Sequence, residues 1–266
     1  MKDKKVIAII SVTSDIGKAL AERYLNRGDI VIGTYRSNTG LEDLTEKENC
    51  HLLPCDLSNP KSIRNFSNEF QKLNLEWNTF ISCPCNPLPL KPFFESDFDE
   101  WSDSIHLNSL EQLRVLYNLY PFRSKQGISN VVYFAGGSMN SPKPNFSAYT
   151  ASKIFLVKMC ELLNLENKDL NAFIVGPGWV RTKVHDLILK NLDTSDERYQ
   201  TTTEFLESKK GTNLEDIFRC IDLLCKKGKQ VTGGRNFSVV YDDWGNEELF
   251  ARLKLNPNLY KLRRNE

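Results

Sequence analysis

In Tyr149-Thr150-Ala151-Ser152-Lys153 a tyrosine and a lysine stand four residues apart, and the run that follows, Ile154-Phe-Leu-Val-Lys-Met-Cys-Glu-Leu-Leu163, reads as a helix. Residues four apart share a helix face, so the Lys153 ammonium is expected close to the Tyr149 phenol. A neighbouring positive charge favours phenolate and lowers a pKa that starts near ~10. A phenol tuned in this way can exchange a proton near neutrality, as a general acid or base must. The spacing by itself is a weak signal, since an aromatic and a charge on any surface helix satisfy it. Its weight comes from what lies on either side.

Upstream, Val131–Phe134 reads as a strand and Gly136–Phe146, rich in Gly, Pro, Ser and Asn, as a loop. Downstream, Ala172–Val175 reads as another strand, ended by Gly176-Pro177-Gly178. The same alternation runs through the chain. Strands are expected at Lys4–Ile10, Ile30–Tyr35, Cys50–Cys55, Trp77–Ser82 and Asn236–Tyr241. Helices are expected over Lys18–Arg27, about Leu41–Lys47, from Pro60 through Leu73, from about Ser96 to Phe122 with a break near Asn108, and over Leu214–Lys226. Cys83–Pro92, with four prolines, is a loop. Strands alternating with helices imply βαβ units. The expected fold is therefore α/β: a doubly wound, seven-stranded parallel sheet with helices on both faces, a Rossmann-like single domain over residues 1–266. In such sheets ligands bind beyond the carboxyl ends of the strands.

The composition is that of an ordinary globular protein: 266 residues, 40% hydrophobic, 26% charged, net charge +1. That balance gives no field to attract nucleic acid or an anionic membrane. No apolar run approaches the ~20 residues that span a bilayer. Met1-Lys-Asp-Lys-Lys-Val-Ile-Ala-Ile-Ile10 has a basic start, but its apolar run is short and no small-residue cleavage site follows, so it reads as a first strand. Seven cysteines, an odd number, suit reduced thiols in a cytoplasmic protein. Cys83-Pro84-Cys85 has the wrong spacing for a zinc site, and no metal is expected.

The first strand-to-helix turn is Ile10-Ser-Val-Thr-Ser-Asp-Ile-Gly17. Ser11, Thr13, Ser14, Ile16 and Gly17 are candidates for a phosphate anchor, which needs close backbone approach and a free helix N-terminus. An N-cap cluster fits the same residues. After the second strand, Arg36 and Ser37 stand where an acidic residue would select NAD; a guanidinium there suits a 2′-phosphate, hence NADP in preference to NAD. The alternative is an exposed loop arginine. Asp56 is placed to meet an adenine edge or to cap a helix.

These parts, in this order, resemble the short-chain dehydrogenase/reductase family over about residues 4–241. The resemblance rests on Tyr149-x-x-x-Lys153, Gly176-Pro177-Gly178-Trp-Val-Arg-Thr182, Leu107-Asn108-Ser109 and Asp56-Leu57. It implies that Tyr149 handles the substrate proton, that Lys153 lowers its pKa and binds the nicotinamide ribose, and that Asn108 serves a proton relay. It further implies cofactor contacts from Asp56, Leu57, Pro177, Gly178, Val180 and Thr182, and a homodimer or homotetramer formed through the long fourth and fifth helices.

Against that pattern, Ser11 and Asp15 replace two glycines of the nucleotide turn, and Ser82-Cys83-Pro84-Cys85 replaces the Asn-Asn-Ala-Gly segment. The family's serine, 13 residues before the tyrosine, is Gly136 here; Ser138 is the candidate to supply that hydroxyl. The expected function is an NADP-dependent oxidoreductase acting on a small-molecule alcohol or ketone. Residues 184–210 are the expected substrate lid, polar enough to favour a polar, sugar-like substrate, and 242–266 a charged C-terminal extension. Asp242, Asp243 and Trp244 would suit a sugar or cap the sheet. A loose likeness to family members of bacterial surface-glycan synthesis points the same way. The alternative is a non-catalytic relative that binds a nucleotide or a partner, motivated by Gly136 and the eroded glycine turn.

Overall fold

The computed structural model describes residues 4–37 and 39–264. Asn38, read as part of the exit from the second strand, lies outside them. So do the first three residues and the last two of the C-terminal extension.

Seven strands form one parallel sheet: β1 (Val6–Ile10), β2 (Ile30–Tyr35), β3 (Cys50–Pro54), β4 (Thr79–Ser82), β5 (Ser129–Phe134), β6 (Leu170–Gly176) and β7 (Asn236–Ser238). Their order is β3-β2-β1-β4-β5-β6-β7, and every pairing is parallel. The order reverses between β1 and β4, which opens a crevice beyond the carboxyl ends of those strands.

The helices are α1 (Asp15–Asn26), α2 (Glu42–Thr45), α3 (Pro60–Lys72), α4 (Phe98–Ile105), α5 (Glu111–Leu119), α6 (Ser147–Glu166), α7 (Lys183–Asn191), α8 (Glu197–Glu207), α9 (Leu214–Lys227), α10 (Lys229–Thr232) and α11 (Glu247–Leu255). Side chains alternate across a strand, so β1 feeds two cores. Ile7 and Ile9 pack with Leu20, Tyr24, Ile217 and Leu224 of α1 and α9. Val6, Ala8 and Ile10 pack with Phe66, Phe70, Leu119, Leu156 and Val157 of α3, α5 and α6.

Local chemistry explains several boundaries. Ser14 caps α1 by accepting from the Gly17 N–H. Asn59 caps α3 ahead of Pro60, whose fixed φ suits a first helical turn. The expected break near Asn108 is a π-helical turn over His106–Leu110, between α4 and α5. Strand β7 ends at Ser238, three residues earlier than the apolar pattern implied. The charged tail is not merely a tail: α11 buries Leu249, Phe250 and Leu253 in the first of the two cores. Among the described residues no helix is long and apolar enough to cross a membrane.

Candidate active site

The turn after β1, the loops after β4 and β5, the start of α6, the segment after β6, and α7 with α8 surround one cleft of ≈ 1910 Å³. It lies at the carboxyl ends of the strands, where α/β sheets bind ligands.

At one end is the β1–α1 turn. Ser11 adopts φ +62, the left-handed conformation that a glycine would take without strain. The Ser14 hydroxyl donates to the Ser11 carbonyl at 2.8 Å and accepts from the Gly17 N–H at 3.0 Å. A Cβ on Gly17 would fall 2.5 Å from the Ser11 carbonyl oxygen, so helix and turn pack together only because that residue is glycine. Of the first four N–H groups of α1, those of Gly17 and Lys18 are bound to Ser14. Asp15 and Ile16, which line the cleft, keep the N–H donors that a helix N-terminus offers to an anion. The residues present therefore fit a pyrophosphate. The Asp15 carboxylate accepts from the backbone N–H of Lys183 at 2.9 Å, which ties this turn to the start of α7.

Of the residues singled out in the sequence, Ser11, Thr13, Ser14, Ile16, Arg36, Ser37, Tyr149, Lys153, Pro177, Gly178, Val180 and Thr182 all line the cleft. Gly17 supports it from behind. Four others are not brought there. Asp56 caps its own turn, its carboxylate accepting from the Ser58 N–H at 3.0 Å and hydroxyl at 2.8 Å. Leu57 is a core residue of the second cluster. Asn108 is fully buried and spent on structure: its amide donates to the Asn86 and Ser104 carbonyls at 2.7 and 3.0 Å, and its oxygen accepts from the Asn86 N–H at 2.9 Å. It fastens the proline-rich loop to the π-turn. Ser138 is buried, and its hydroxyl is paired with that of Thr150 at 2.5 Å, off the lining of the cleft.

Gly136 holds the position where the resemblance expects a serine. A Cβ there would fall 2.6 Å from Tyr149 Cε1 and 3.2 Å from its hydroxyl oxygen. The phenol ring rests against the Gly136 backbone, in the space a side chain would need. The group that does approach the phenol is Cys85, whose thiol donates to the Tyr149 oxygen at 3.8 Å. Lys153 is almost wholly buried, its Nζ 5.6 Å from the Tyr149 ring centre. Burial pushes the Tyr149 phenol well above its ordinary value; Cys85 acts in the same direction and the Arg198 charge opposes it. Burial also pulls Lys153 below the ordinary ammonium range. The net direction at Tyr149 is thus upward, opposite to the one expected from the Lys153 spacing, because desolvation outweighs the lowering effect of Arg198.

The segment after β6 carries Gly178 at φ +74. A Cβ there would meet Thr212 Oγ1 and Val240 Cγ2, each at 2.5 Å. Trp179 stacks on His185 of α7 with ring centres 5.7 Å apart and meets Phe205 of α8 at 4.8 Å. Arg181 donates to the Leu206 carbonyl at 2.7 Å and so docks the end of α8. Asp242 and Trp244, candidates for a sugar, line the cleft and also bind the backbone around β7: Asp242 accepts from the Ser238 N–H at 2.6 Å, and Trp244 donates to the Val239 carbonyl at 3.0 Å. Asp243 accepts from Asn246 at 3.1 Å.

Sequence reasoning passed over Cys85 and Arg198. Neither the Cys83-Pro84-Cys85 spacing nor the departure of that segment from the family pattern marks Cys85 as a partner of the phenol. Arg198 belongs to a polar stretch, and nothing local marks it as a residue that meets the Trp179 and Phe146 rings and lines the cleft.

Residues 5–193 match the family model described as short chain dehydrogenase. The chloroplastic chlorophyll(ide) b reductase NOL of Arabidopsis thaliana is 29% identical over 210 residues, 73% of this chain and 59% of the relative. An 11-beta-hydroxysteroid dehydrogenase-like protein of the same plant is 28% identical over 194 residues, 67% of this chain and 60% of the relative. The chain thus spans about 60% of the length of these two relatives. A short chain dehydrogenase/reductase from Saccharomyces cerevisiae superposes with a TM-score of 0.81 at 21% identity, covering 90% of this chain and 98% of that one, a likeness of fold.

Proposed function

The chain belongs to the short-chain dehydrogenase/reductase family, and from that membership we propose that it is an NADP-dependent oxidoreductase of a polar alcohol or ketone, with Tyr149 as general acid/base. One observation carries the reading: Tyr149 and Lys153, one turn apart on α6, open on the same cleft as the N-terminus of α1.

A bound nicotinamide would supply or take the hydride. The turn Ser11–Gly17 would hold the pyrophosphate through its N–H donors. Arg36 and Ser37, which line the cleft without a carboxylate between them, favour a 2′-phosphate over a bare ribose. Lys153 and the Pro177–Thr182 segment would hold the nicotinamide half. The raised pKa of Tyr149 keeps the phenol protonated at neutrality, ready to give its proton to a carbonyl oxygen as the alkoxide forms. Residues 184–210 form the lid over the substrate. Its polarity suits a polar substrate, of which a sugar is one class, and Asp242 and Trp244 line the same cleft. The face of α4 and α5 is the proposed contact between copies in a homodimer or homotetramer, and the free thiols fit a cytoplasmic setting.

Titration with NADPH and NADH, read by nicotinamide fluorescence, tests this reading. NADPH should saturate below millimolar concentration and more tightly than NADH. Tyr149→Phe should abolish turnover and leave NADPH affinity within about twofold, since the phenol acts on the substrate oxygen. The rival favoured by Gly136 is a non-catalytic nucleotide-binding relative. It predicts NADPH binding with no carbonyl reduction by the wild type across polar aldehydes and ketones.

A further inference from the structure

We propose that Arg198 is the recognition residue for an oxyanion on the substrate: a carboxylate, sulfonate or phosphate. The proposal rests on the oxidoreductase reading and names the substrate class for the same cleft.

Arg198 stands in the first turn of α8 and lines the cleft. Its guanidinium carbon lies 4.3 Å from the centre of the Trp179 ring and 5.6 Å from that of Phe146. Cation–π contact of this kind holds a guanidinium without using its N–H donors. Among the described residues those donors have no partner. Nε is buried without an acceptor. Asp196, whose charge acts on Arg198, is occupied: one oxygen accepts the backbone N–H of Arg198 itself at 2.7 Å, the other the Asn145 amide at 3.2 Å.

The chain treats its other half-buried arginines differently. Arg27 pairs with Asp29 and Asp222 at 2.6 and 2.5 Å. Arg235 spends its guanidinium on the carbonyls of Leu259, Leu253 and Asn256 at 3.0, 2.6 and 3.1 Å. Arg181, beside the same cleft, is bound to the end of α8. A desolvated cation with an unpaired donor is costly to keep, and an anionic ligand that pairs with it removes the cost. Guanidinium and oxyanion match in a two-pronged geometry.

The position also fits chemistry at Tyr149. The Arg198 charge bears on the phenol, so the two groups share one region of the cleft. An oxyanion held by Arg198 would set the carbonyl of a short substrate against the phenol and orient it before proton transfer.

Binding can be read without turnover. The full chain, saturated with NADPH, is titrated with succinate, sulfoacetate and glycerol 2-phosphate, and with neutral succinamide, by isothermal titration calorimetry. At least one anion should saturate, and succinamide should bind about tenfold more weakly or not at all, as expected for a charge-assisted pair. Arg198→Gln should weaken the anion about tenfold, with Arg198→Lys between the two. Which anion binds best separates carboxylate, sulfonate and phosphate. Equal binding of succinate and succinamide, or anion affinity unchanged in Arg198→Gln, overturns the proposal. So does affinity lost on Arg36→Gln but kept in Arg198→Gln, which would locate the anion at the nucleotide end. If Arg198→Gln fails to fold by circular dichroism, the wild-type preference and Arg198→Lys decide. The anion titration repeated without NADPH stands whether or not NADPH binds, so failure of the oxidoreductase reading is seen separately.

Discussion

The turn after β1 carries a serine where the family resemblance expects glycine, and the loop after β5 carries a glycine where it expects serine. The two departures look symmetrical and are not. At Ser11 the backbone keeps φ +62, so the bend survives. Its cost is local, about 1–2 kcal/mol for an L-residue in the left-handed region. At Gly136 the departure removes a hydroxyl, and the phenol of Tyr149 occupies the space. A conformation can be held by an unsuited residue at modest expense. A missing donor cannot be replaced by backbone freedom, and the neighbouring Ser138 hydroxyl is already paired with Thr150.

The largest effect on stability should come from the glycine that the turn did keep. Gly17→Ala puts a Cβ 2.5 Å from the Ser11 carbonyl oxygen, a backbone atom that cannot swing aside. Helix α1 would have to separate from the turn. The expected result is a loss of about 1–3 kcal/mol in urea denaturation. NADPH affinity should fall at least about tenfold, because the N–H donors of α1 move with the helix. Wild-type affinity in that variant would mean that the nucleotide does not sit on this turn.

Gly136→Ser asks whether the missing hydroxyl can be put back. Its Cβ would press on Tyr149 Cε1 at 2.6 Å, and the ring, unlike a backbone carbonyl, can rotate away. Stability should change by less than about 1 kcal/mol, whereas displacement of the phenol by ~1 Å should lower kcat about 10²-fold. NADPH affinity should stay within about twofold of wild type. A rise in kcat would show that the phenol tolerates the side chain and that the hydroxyl was all the loop lacked.

The same contrast explains what the sequence could and could not convey. The sheet, its seven parallel strands and the π-turn near Asn108 follow from local periodicity and turn residues, which act over a few positions. The cleft-lining role of Arg36 and of Pro177–Thr182 follows from where strands end. The positions of Asn108, Ser138 and Asp56 depend on which polar neighbour each one finds: Asn86, Thr150 and Ser58. For Asn108 that partner lies on another loop, and no pattern in the sequence marks the pairing. The direction of the Tyr149 pKa depends on burial, which spacing to Lys153 does not report.

Ser11→Gly should have a smaller and opposite effect. Among the described residues the Ser11 hydroxyl makes no hydrogen bond that the change would lose; the backbone N–H donates to Thr34 Oγ1 at 2.8 Å. Relief of ~1–2 kcal/mol of left-handed strain is offset by the ~0.5–1 kcal/mol that glycine adds to unfolded-chain entropy. A net gain of about 0.5–1 kcal/mol in the unfolding free energy from urea denaturation is expected, with turnover unchanged. A loss of stability would show that the serine side chain stabilises the turn through its packing.

The smallest effect belongs to a pair on the catalytic helix but remote from both turns. Glu161 of α6 accepts from Lys158 at 2.7 Å and from Arg263 of the C-terminal extension at 3.0 Å. The hydrogen bond from Arg263 comes first among the causes that hold its carboxyl at about 2, below the ordinary 4.5. A depressed carboxyl stabilises the fold above its unfolded pKa and loses that contribution as pH falls through the folded value. For Glu161 the loss therefore runs from about pH 4.5 down to about pH 2. The site is partly open to solvent, so the pair is worth about 0.2–1 kcal/mol. Glu161→Gln should lower the urea midpoint at pH 7 by that amount. The gap from wild type should narrow steadily between pH 4.5 and pH 3. NADPH affinity and turnover at pH 7 should not move. A gap that persists unchanged at pH 3 would assign the stabilisation to packing of the extension on α6 and not to the charge on Glu161.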